Sequence, residues 1–348
     1  MPVTLTPRTD AILGCLYGQA IGDALGMPSE LWPQARVRKH FGWIDSFLPG
    51  PEENVAAAGF IAGQYTDDTE QAIALTDALI ECGGQVVPEV IARHILDWAL
   101  RMGAFDKNIL GPSSKAALLA IRGGQAVASI VSNGVTNGAA MRVAPLGCLV
   151  PTADRKHFIE QVVLASSPTH KSDIAVAGAG MIAWCVSRAI EGADWGQIKT
   201  EMMPLAREIQ TRLASTFSPC LALRTRYALD IAAGVCGQSD LDALTELYES
   251  VGAGMDTLES VPCAVALVDL ARTDPVRCAI LAANLGGDTD TIGAMATAIC
   301  GALHGAQRLP DAWKRQIAEA NQIDLLPYAL SLNQLRHTKE SRHAQTQQ

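Results

Sequence analysis

Two short acidic clusters carry the residue types with the clearest chemical potential. Asp67 and Asp68 are adjacent, and an apolar pattern of helical spacing that includes Ile73 follows them. Asp288 and Asp290 flank a single residue, come directly after two glycines, and open a segment of small and apolar residues. Carboxylate oxygens are hard ligands that suit Mg2+, Mn2+ or Ca2+. Together the clusters predict a site for two divalent ions, of the kind that activates water for hydrolysis.

A simpler interpretation applies to each cluster taken alone. Asp or Thr at the start of a helix caps free backbone N–H groups, and an acid there complements the helix dipole. Capping explains one acid in a cluster better than two, because neighbouring carboxylates repel each other unless a cation or strong donors compensate them. A divalent cation removes this repulsion. The presence of two such clusters therefore favours a metal-dependent hydrolase over two helix caps.

Residues 132–142 contain Asn133, Gly134, Asn137 and Gly138. Glycine and asparagine at these positions allow backbone N–H groups to turn toward the oxygens of a phosphate. An acidic chain needs local donors of this kind if it is to bind a phosphate ligand. A plain turn leading into a helix is the competing interpretation. Arg142, at the end of this segment, could meet an anionic group or could equally tie helices together, so it stays outside the predicted catalytic set.

The elements that must position these residues are predicted to be helical. Apolar residues recur at helical spacing, convincing period-two segments do not compete with them, and only 5% of residues are aromatic. We predict an all-α fold with a single compact domain over residues 9–336 and a polar, flexible tail over residues 337–348. Residues 26–63 carry several prolines around Phe41, Trp43 and Phe47, which predicts an irregular loop with aromatic anchors.

The composition narrows the functional classes. Of 348 residues, 49% are apolar, and 27 Lys plus Arg against 36 Asp plus Glu give a net charge of -9. This charge is opposite to the one that binds nucleic acid or an anionic membrane, so we expect neither partner. The N-terminus lacks a signal-like pattern and the longest uncharged stretches fall short of a membrane span, which favours a cytoplasmic protein. The nine cysteines form no C-x-x-C pair and are expected to be reduced core residues.

Five motifs, in this order, resemble the ADP-ribosylglycohydrolase family, which includes the dinitrogenase reductase activating glycohydrolase and the animal ADP-ribosyl-acceptor hydrolases. Each short motif alone is weak, whereas five in the family's order across residues 11–305 are specific. The motifs are Gly22-Asp23-Ala24-Leu25-Gly26-Met27-Pro28-Ser29-Glu30, Thr66-Asp67-Asp68-Thr69, Asn137-Gly138-Ala139-Ala140-Met141-Arg142, Thr169-His170, and Gly286-Gly287-Asp288-Thr289-Asp290-Thr291.

The resemblance implies an all-α domain with two divalent cations in a central cleft, with Mg2+ expected and Mn2+ as the second choice. One of the catalytic carboxylates Asp67, Asp68 and Asp290 would accept a proton from the attacking water. Glu30 is implied to lie at the mouth of the cleft, near the substrate or gating it, and an ordinary exposed acid is the alternative. The implied metal ligands are Thr66, Asp67, Asp68, Asp288, Asp290 and Thr291.

The resemblance also implies substrate contacts by Asn137, Gly138, Ala139 and His170. Members of the family often carry Ser or Gly where Ala139 stands, so only backbone contacts are expected at that position. His170 corresponds to a family histidine near bound ADP-ribose and could donate to a ribose or phosphate oxygen. A lone histidine at a helix entrance, however, commonly has a structural role.

The resulting hypothesis is a hydrolase that cleaves the glycosidic bond between ADP-ribose and an acceptor. Its substrate would be a small ADP-ribose-containing or ribosyl compound, or an ADP-ribosylated protein. One alternative keeps the chemistry but replaces the substrate with a small nucleoside-like N-glycoside. A second alternative is a non-catalytic, crystallin-like member, which the four clustered aspartates disfavour because they would repel each other without cations. The acceptor, the preferred ion and the oligomeric state stay open.

Overall fold

The computed structural model describes residues 5–107, 109–213, 215–235 and 237–346. Regular structure in these ranges is helical, with two isolated β-bridges and no longer strand, which confirms the predicted all-α class. Short 3-10 turns occur at Met27–Ser29, Val127–Ser129, Asn137–Ala139 and Ala306–Arg308. The helices are α1 (Pro7–Gly26), α2 (Gln34–Phe41), α3 (Asp67–Glu81), α4 (Pro88–Arg101), α5 (Pro112–Arg122), α6 (Ala144–Leu149), α7 (Arg155–Ser166), α8 (Asp173–Ile190), α9 (Trp195–Arg212), α10 (Leu221–Gly234), α11 (Asp240–Ser250), α12 (Thr257–Leu270), α13 (Pro275–Ala283), α14 (Thr289–His304), α15 (Asp311–Asn321) and α16 (Leu326–Thr346).

Helices α1 and α14 form the central antiparallel pair and approach each other at backbone distance. A Cβ atom on Gly22 would lie 2.1 Å from the carbonyl oxygen of Gly293, and one on Gly18 would lie 2.3 Å from that of Thr297. Such separations are far below van der Waals contact, so only glycine fits at these crossings. The close approach brings the C-terminal half of α1, with Asp23, beside the start of α14.

Helix α8 fills the interior next to this pair. Among the described residues it is the one helix long and apolar enough to cross a membrane, and 94% of that stretch is buried inside the protein. Its length and composition therefore fit a core helix, which is also the position that the structure gives it. Six of the eight described cysteines are buried and all eight are free, as expected for reduced core residues; Cys236 lies outside the described residues.

The segment between α1 and α3 is more ordered than the irregular loop predicted from its prolines, because α2 lies within it. The predicted aromatic anchoring is partly correct. Phe47 is buried and packs on Trp313 with ring centroids 5.5 Å apart, whereas Trp43 is 38% exposed. Trp32 supplies a further anchor: its carbonyl accepts from the N–H of Gly287 at 2.8 Å, which ties the segment to the turn before Asp288.

The C-terminal residues expected to form a polar tail are helical as far as Thr346, so the predicted boundary at residue 336 does not coincide with the end of a helix. Glu340 forms an ion pair with Arg8 at 2.7 Å. Arg336 is fully buried, donates to the carbonyl oxygen of Gly147 at 2.9 Å and pairs with Glu191 at 2.7 Å. Ion pairs, rather than an apolar helix face, attach this part of α16 to the rest of the protein. The assignment of the chain to one domain stays a prediction.

Candidate active site

The first acidic cluster lies where α3 begins, as the sequence predicts. The residue that caps the helix is Thr66, whose side chain accepts from the N–H of Asp68 at 3.5 Å. Asp67 and Asp68 are therefore inside the first turn and do not serve as the cap. Their carboxylates remain available for other contacts, and helix capping does not explain why two acids stand together here.

Asp23 of α1 fixes this helix start from the opposite side. Its carboxylate accepts from the N–H of Thr66 at 2.9 Å, from the N–H of Thr69 at 3.0 Å and from the hydroxyl of Thr69 at 2.6 Å. Because Asp23 is fully buried, burial raises its pKa to about 6 against the lowering effect of these hydrogen bonds. The acid therefore supplies the acceptors that the free N–H groups at the start of α3 need.

The second cluster forms a turn that two glycines make possible. Gly286 and Gly287 have φ angles of 85° and 81°, in the left-handed region that favours glycine. A Cβ on Gly287 would also lie 2.1 Å from the carbonyl oxygen of Ala253. Asp288 occupies the N-cap position of α14 but makes no capping hydrogen bond with its side chain. Instead, its Oδ2 accepts from the amide of Asn137 at 2.6 Å.

The two clusters meet through threonine hydroxyls. Oγ1 of Thr66 lies 3.2 Å from Oδ2 of Asp68 and 3.2 Å from Oδ2 of Asp290. The Thr291 side chain lies close enough to Asp68 and Asp288 to lower the pKa of both carboxyls. Asp68, Asp288 and Asp290 are thus gathered into one buried group, with the partly exposed Asp67 beside it, as the pairing of the motifs predicted.

Glu30 lies against the same group. Its carboxyl lies close enough to those of Asp290 and Asp288 to interact with them, and the residue as a whole is partly exposed. The backbone around it is held by two contacts: Asn54 donates to the Glu30 carbonyl at 3.0 Å, and the Ser29 hydroxyl donates to the Ala283 carbonyl at 2.8 Å. Glu30 therefore has a fixed place beside Asp290 while remaining accessible to solvent.

Burial raises the pKa of every carboxyl in this group, and repulsion by neighbouring carboxylates adds to this effect for all of them except Asp288. Burial is the largest cause for each, and it raises the pKa of Asp67 to about 8 and that of Asp288 to about 6. The pKa values of Asp68, Asp290 and Glu30 lie well above their usual range, because neighbouring carboxylates add to the effect of burial. The opposing hydrogen bonds come mainly from neutral donors such as Asn137, Gln71 and Thr291. The group therefore favours either protonation or a cation.

Two buried carboxylate oxygens of this group have no hydrogen-bond partner in the described structure: Oδ1 of Asp68 and Oδ1 of Asp290. Buried carboxylate oxygens without donors are costly unless protonated or bound to a cation, and hard oxygen donors suit Mg2+ and Mn2+. In the described ranges, no three His, Cys, Asp or Glu side chains already stand at metal-site spacing. The donor chemistry thus fits divalent cations, while the dinuclear cleft itself stays a prediction.

The loop predicted to bind substrate packs against the acids. Asn137 donates to Ser260 at 3.0 Å as well as to Asp288, so its side-chain amide is used inside the protein. A Cβ on Gly138 would lie 2.8 Å from Cε1 of His170, so these two positions are in close contact. Ala139 is buried, and its methyl side chain offers no hydrogen bond.

His170 is fully buried, and its two ring nitrogens are hydrogen-bonded within the protein. Nδ1 lies 2.8 Å from the Thr169 hydroxyl and Nε2 lies 3.1 Å from the Thr136 hydroxyl. Burial, assisted by the charge of Arg142, lowers the pKa of His170 to about 3, so the ring is neutral near pH 7. In this conformation His170 has no ring nitrogen left for a ligand.

A model of the ADP-ribosylglycohydrolase family matches residues 4–342. The chain belongs to the ADP-ribosylglycohydrolase family. The uncharacterized protein YegU of Escherichia coli (strain K12) is 58% identical to it over 334 residues, which is 96% of this chain and 99% of YegU. ADP-ribosylarginine hydrolase Tri1 of Pseudomonas putida (strain GB-1) is 29% identical over 94% of this chain and 80% of its own length. A solved structure described as an ADP-ribosylglycohydrolase-related protein complex superimposes with a TM-score of 0.69 at 25% identity, covering 95% of this chain and 100% of that one.

In this member of the ADP-ribosylglycohydrolase family, the predicted metal ligands and Glu30 lie together, as the contacts above describe. The predicted substrate residues divide into two groups. Asn137 contacts the acids directly, whereas Gly138 and His170 contact each other and Ala139 is enclosed by apolar neighbours. Their roles toward a substrate stay predictions.

Two residues of this family member were missed as site residues by the sequence analysis. Asp23 was quoted in a motif but received no role, although its position inside the apolar face of α1 could have indicated a buried acid. Gln19, one turn earlier on α1, donates to the carbonyl oxygens of Asp68 at 3.3 Å and Met141 at 3.0 Å. No local pattern distinguishes it from an ordinary helical glutamine.

Proposed function

We propose that this family member is a metal-dependent ADP-ribosylglycohydrolase that hydrolyses the glycosidic bond between ADP-ribose and an acceptor. The observation that carries the proposal is the convergence of the two acidic clusters, with buried and unpartnered oxygens on Asp68 and Asp290. The names of relatives support the substrate class. They include ADP-ribosylarginine hydrolase Tri1 and ADP-ribosylhydrolase ARH3 of Mus musculus, which is 26% identical over 91% of this chain and 90% of its own length.

Six residues would hold two divalent cations, with Mg2+ expected and Mn2+ as the second choice. When bound, such cations lower the pKa of water and stabilise negative charge that develops during the reaction. The set combines hydroxyl and carboxylate donors, which suit these ions. Its members are Thr66, Asp67, Asp68, Asp288, Asp290 and Thr291.

Two acidic residues, Asp67 and Glu30, keep partial exposure and would meet water or substrate at the edge of the group. Oδ2 of Asp67 accepts from Gln71 at 2.8 Å, so Oδ1 is the oxygen left to accept a proton from water. Glu30 lies beside Asp290, where it would orient a ribose hydroxyl by accepting its hydrogen bond. Asp68 and Asp290 are more deeply buried and suit ion binding better than proton transfer.

A smaller, neutral substrate is the second candidate, and it is favoured by a cavity next to the predicted substrate loop, which none of the acidic residues lines. A cavity of about 550 Å3 lies beside residues 130–134 and is walled by α5. Its walls contain Ser113, Ser132 and Asn133 among alanines and aliphatic side chains, and no charged or aromatic residue. A diphosphate in this position would rely on hydroxyl, amide and backbone donors alone, whereas an uncharged nucleoside-like group needs no cationic partner.

The proposal can be tested by screening the purified protein with Mg2+ or Mn2+ against ADP-ribosyl-arginine, ADP-ribosyl-serine, O-acetyl-ADP-ribose and a panel of nucleosides. Release of ADP-ribose that stops with EDTA supports the proposal. Cleavage of nucleosides alone would favour the smaller substrate. A melting temperature that responds neither to EDTA nor to added Mg2+, together with no hydrolysis, would favour a non-catalytic crystallin-like member.

A further inference from the structure

Arg142 is a buried guanidinium whose three resolved hydrogen bonds all go to uncharged groups. It is 1% exposed, and Nη1 donates to the carbonyl oxygen of Gly138 at 2.9 Å and to Oε1 of Gln71 at 3.2 Å. Nη2 donates to the hydroxyl of Thr169 at 2.7 Å. A buried cation is expensive without a carboxylate partner, so its position must be stabilised through these intermediaries.

The first branch from Arg142 reaches the acidic group. Gln71 is fully buried, and while its Oε1 accepts from Arg142, its Nε2 donates to Oδ2 of Asp67 at 2.8 Å. The amide therefore has only one favourable orientation. If it were flipped, its N–H groups would face the N–H groups of the guanidinium and its oxygen would face the carboxylate oxygen. Through Gln71, the positive charge of Arg142 fixes the rotamer of Asp67.

The second branch reaches His170 and the loop beside the cavity. The Thr169 hydroxyl accepts from Arg142 and lies 2.8 Å from Nδ1 of His170. Thr136 donates its hydroxyl hydrogen to Ser113 at 3.1 Å, so it accepts from Nε2 of His170 at 3.1 Å, and Nδ1 of the neutral ring then accepts from Thr169. By donating to the Thr169 oxygen, Arg142 holds that hydroxyl in the position that this tautomer of His170 needs.

We infer that Arg142 is a positioning residue that holds Asp67, through Gln71, and the Gly138 and His170 side of the site, through Thr169, in one network. The inference rests on the proposed function for its meaning in catalysis. The network links a predicted metal ligand to the loop predicted to bind substrate. Loss of either branch should damage one kind of binding selectively, and loss of Arg142 should damage both.

Three variants separate the branches. Gln71→Met keeps the side-chain length but cannot bridge Arg142 and Asp67, and Thr169→Val keeps the shape but cannot bridge Arg142 and His170. Arg142→Met removes both. The matched control is Arg336→Met, because Arg336 is also a fully buried arginine that donates to backbone carbonyls, and its partner Glu191 belongs to another part of the fold.

Binding of Mn2+ is measured by the paramagnetic resonance signal of the free ion, binding of ADP-ribose by calorimetry at saturating Mg2+, and the His170 ring by 15N-histidine NMR. Gln71→Met is expected to weaken Mn2+ binding about 10- to 100-fold, as is typical of partners that orient a metal ligand. Thr169→Val is expected to leave Mn2+ binding within about twofold but to change the His170 tautomer signal and weaken ADP-ribose binding. Arg142→Met should produce both effects.

The inference is overturned if Gln71→Met and Arg142→Met bind Mn2+ like the wild type, or if Arg336→Met weakens Mn2+ binding as much as they do. It is also overturned if Thr169→Val leaves the His170 signal unchanged. A wild-type protein that binds Mn2+ but not ADP-ribose would contradict the proposed substrate, and the Mn2+ and NMR measurements would still decide the inference. Should Arg142→Met fail to fold, the two single-branch variants carry the test.

Discussion

Oγ1 of Thr66 lies 3.2 Å from Oδ2 of Asp290, although 224 positions separate the two residues. Thr66 precedes α3 and Asp290 is in the first turn of α14, so this contact marks the point where the two helix starts meet. The other oxygen of Asp290 is buried without a hydrogen-bond partner among the described residues. Asp290, like Asp68, is therefore an acid whose stability contribution should depend strongly on a bound cation.

Replacing Asp290 with Asn is expected to have opposite effects with and without metal. In EDTA the variant should melt at a higher temperature than the wild type, because asparagine cannot take on the charge that burial and the neighbouring carboxylates oppose. With Mg2+ at about 100 times its Kd, the wild type should gain about 2.7 kcal/mol and the variant almost nothing. Turnover should be crippled.

Differential scanning fluorimetry with and without Mg2+ measures this reversal. Asp97→Asn is the matched control, because Asp97 is exposed on α4 and should show neither effect. Wild-type hydrolysis by Asp290→Asn at saturating metal would contradict the proposed site.

The metal-free protein should lose stability as the pH rises from about 6.5 to about 8. Burial raises the pKa of Asp67 to about 8, whereas in the unfolded chain this carboxyl titrates near 4. Between these values the folded state holds more protons, so the stability that protonation provides is lost as the pH passes through the folded pKa. His170 does not contribute in this window, because its pKa is lowered to about 3 and it is already neutral in both states above about 6.5.

Melting temperatures in EDTA across this pH range provide the measurement. The slope should become shallower in Asp67→Asn, and excess Mg2+ should suppress it because a bound cation replaces the proton. An unchanged slope in the variant would show that other groups control the pH response.

Asp23→Ala is expected to destabilise the protein and weaken metal binding together. The change removes the acceptor of two backbone N–H groups and one hydroxyl at the start of α3, and each buried group left unsatisfied costs about 1 to 3 kcal/mol. Urea denaturation and Mn2+ titration measure the two effects. Ser239→Ala is the control: Ser239 caps the exposed start of α11, so its loss should cost about 1 kcal/mol without changing Mn2+ affinity.

Gly22→Ala should destabilise the protein by about 1 to 3 kcal/mol or more, because the added methyl group would meet the Gly293 carbonyl at 2.1 Å and force α1 and α14 apart. Gly234→Ala provides the contrast. Gly234 ends α10 with open space around its Cβ position, so alanine there should be neutral or stabilise by about 0.5 to 1 kcal/mol. Equal effects of the two substitutions on the urea midpoint would contradict this account of the helix crossing.

Local patterns in the sequence were sufficient to predict both acidic helix starts. Residues that are neighbours in the sequence determine the first turn of α3 and the glycine turn before α14. The pairing of the two acidic clusters then predicted that they would lie close together. Asp23 could not be assigned in this way, since its partners Thr66 and Thr69 are distant in sequence and depend on how α1 packs. The same holds for Gln71, whose amide gains its role only between Asp67 and Arg142.

Two features of the fold could not be predicted from local sequence patterns, for a related reason. α2 lies in a segment whose prolines predicted irregular structure, yet Pro33 immediately precedes the helix, where proline is well tolerated. The last turns of α16 are polar and have no apolar stripe to predict a helix. Their attachment through Arg8 and Glu340 joins opposite ends of the chain.

Glu30→Gln should separate a role in turnover from a role in metal binding. Glu30 is a partly exposed residue whose carboxyl interacts with that of Asp290, and it is outside the proposed ligand set. Neutralising it should leave Mn2+ affinity within a few-fold of the wild type, while kcat falls about 100-fold or more if its carboxylate orients or exchanges a proton with the substrate. Glu53→Gln is the matched control on the same segment, because Glu53 is exposed and contacts His40 at 3.3 Å. Loss of Mn2+ binding in Glu30→Gln would instead place Glu30 among the ligands, and unchanged kcat would remove it from the active site.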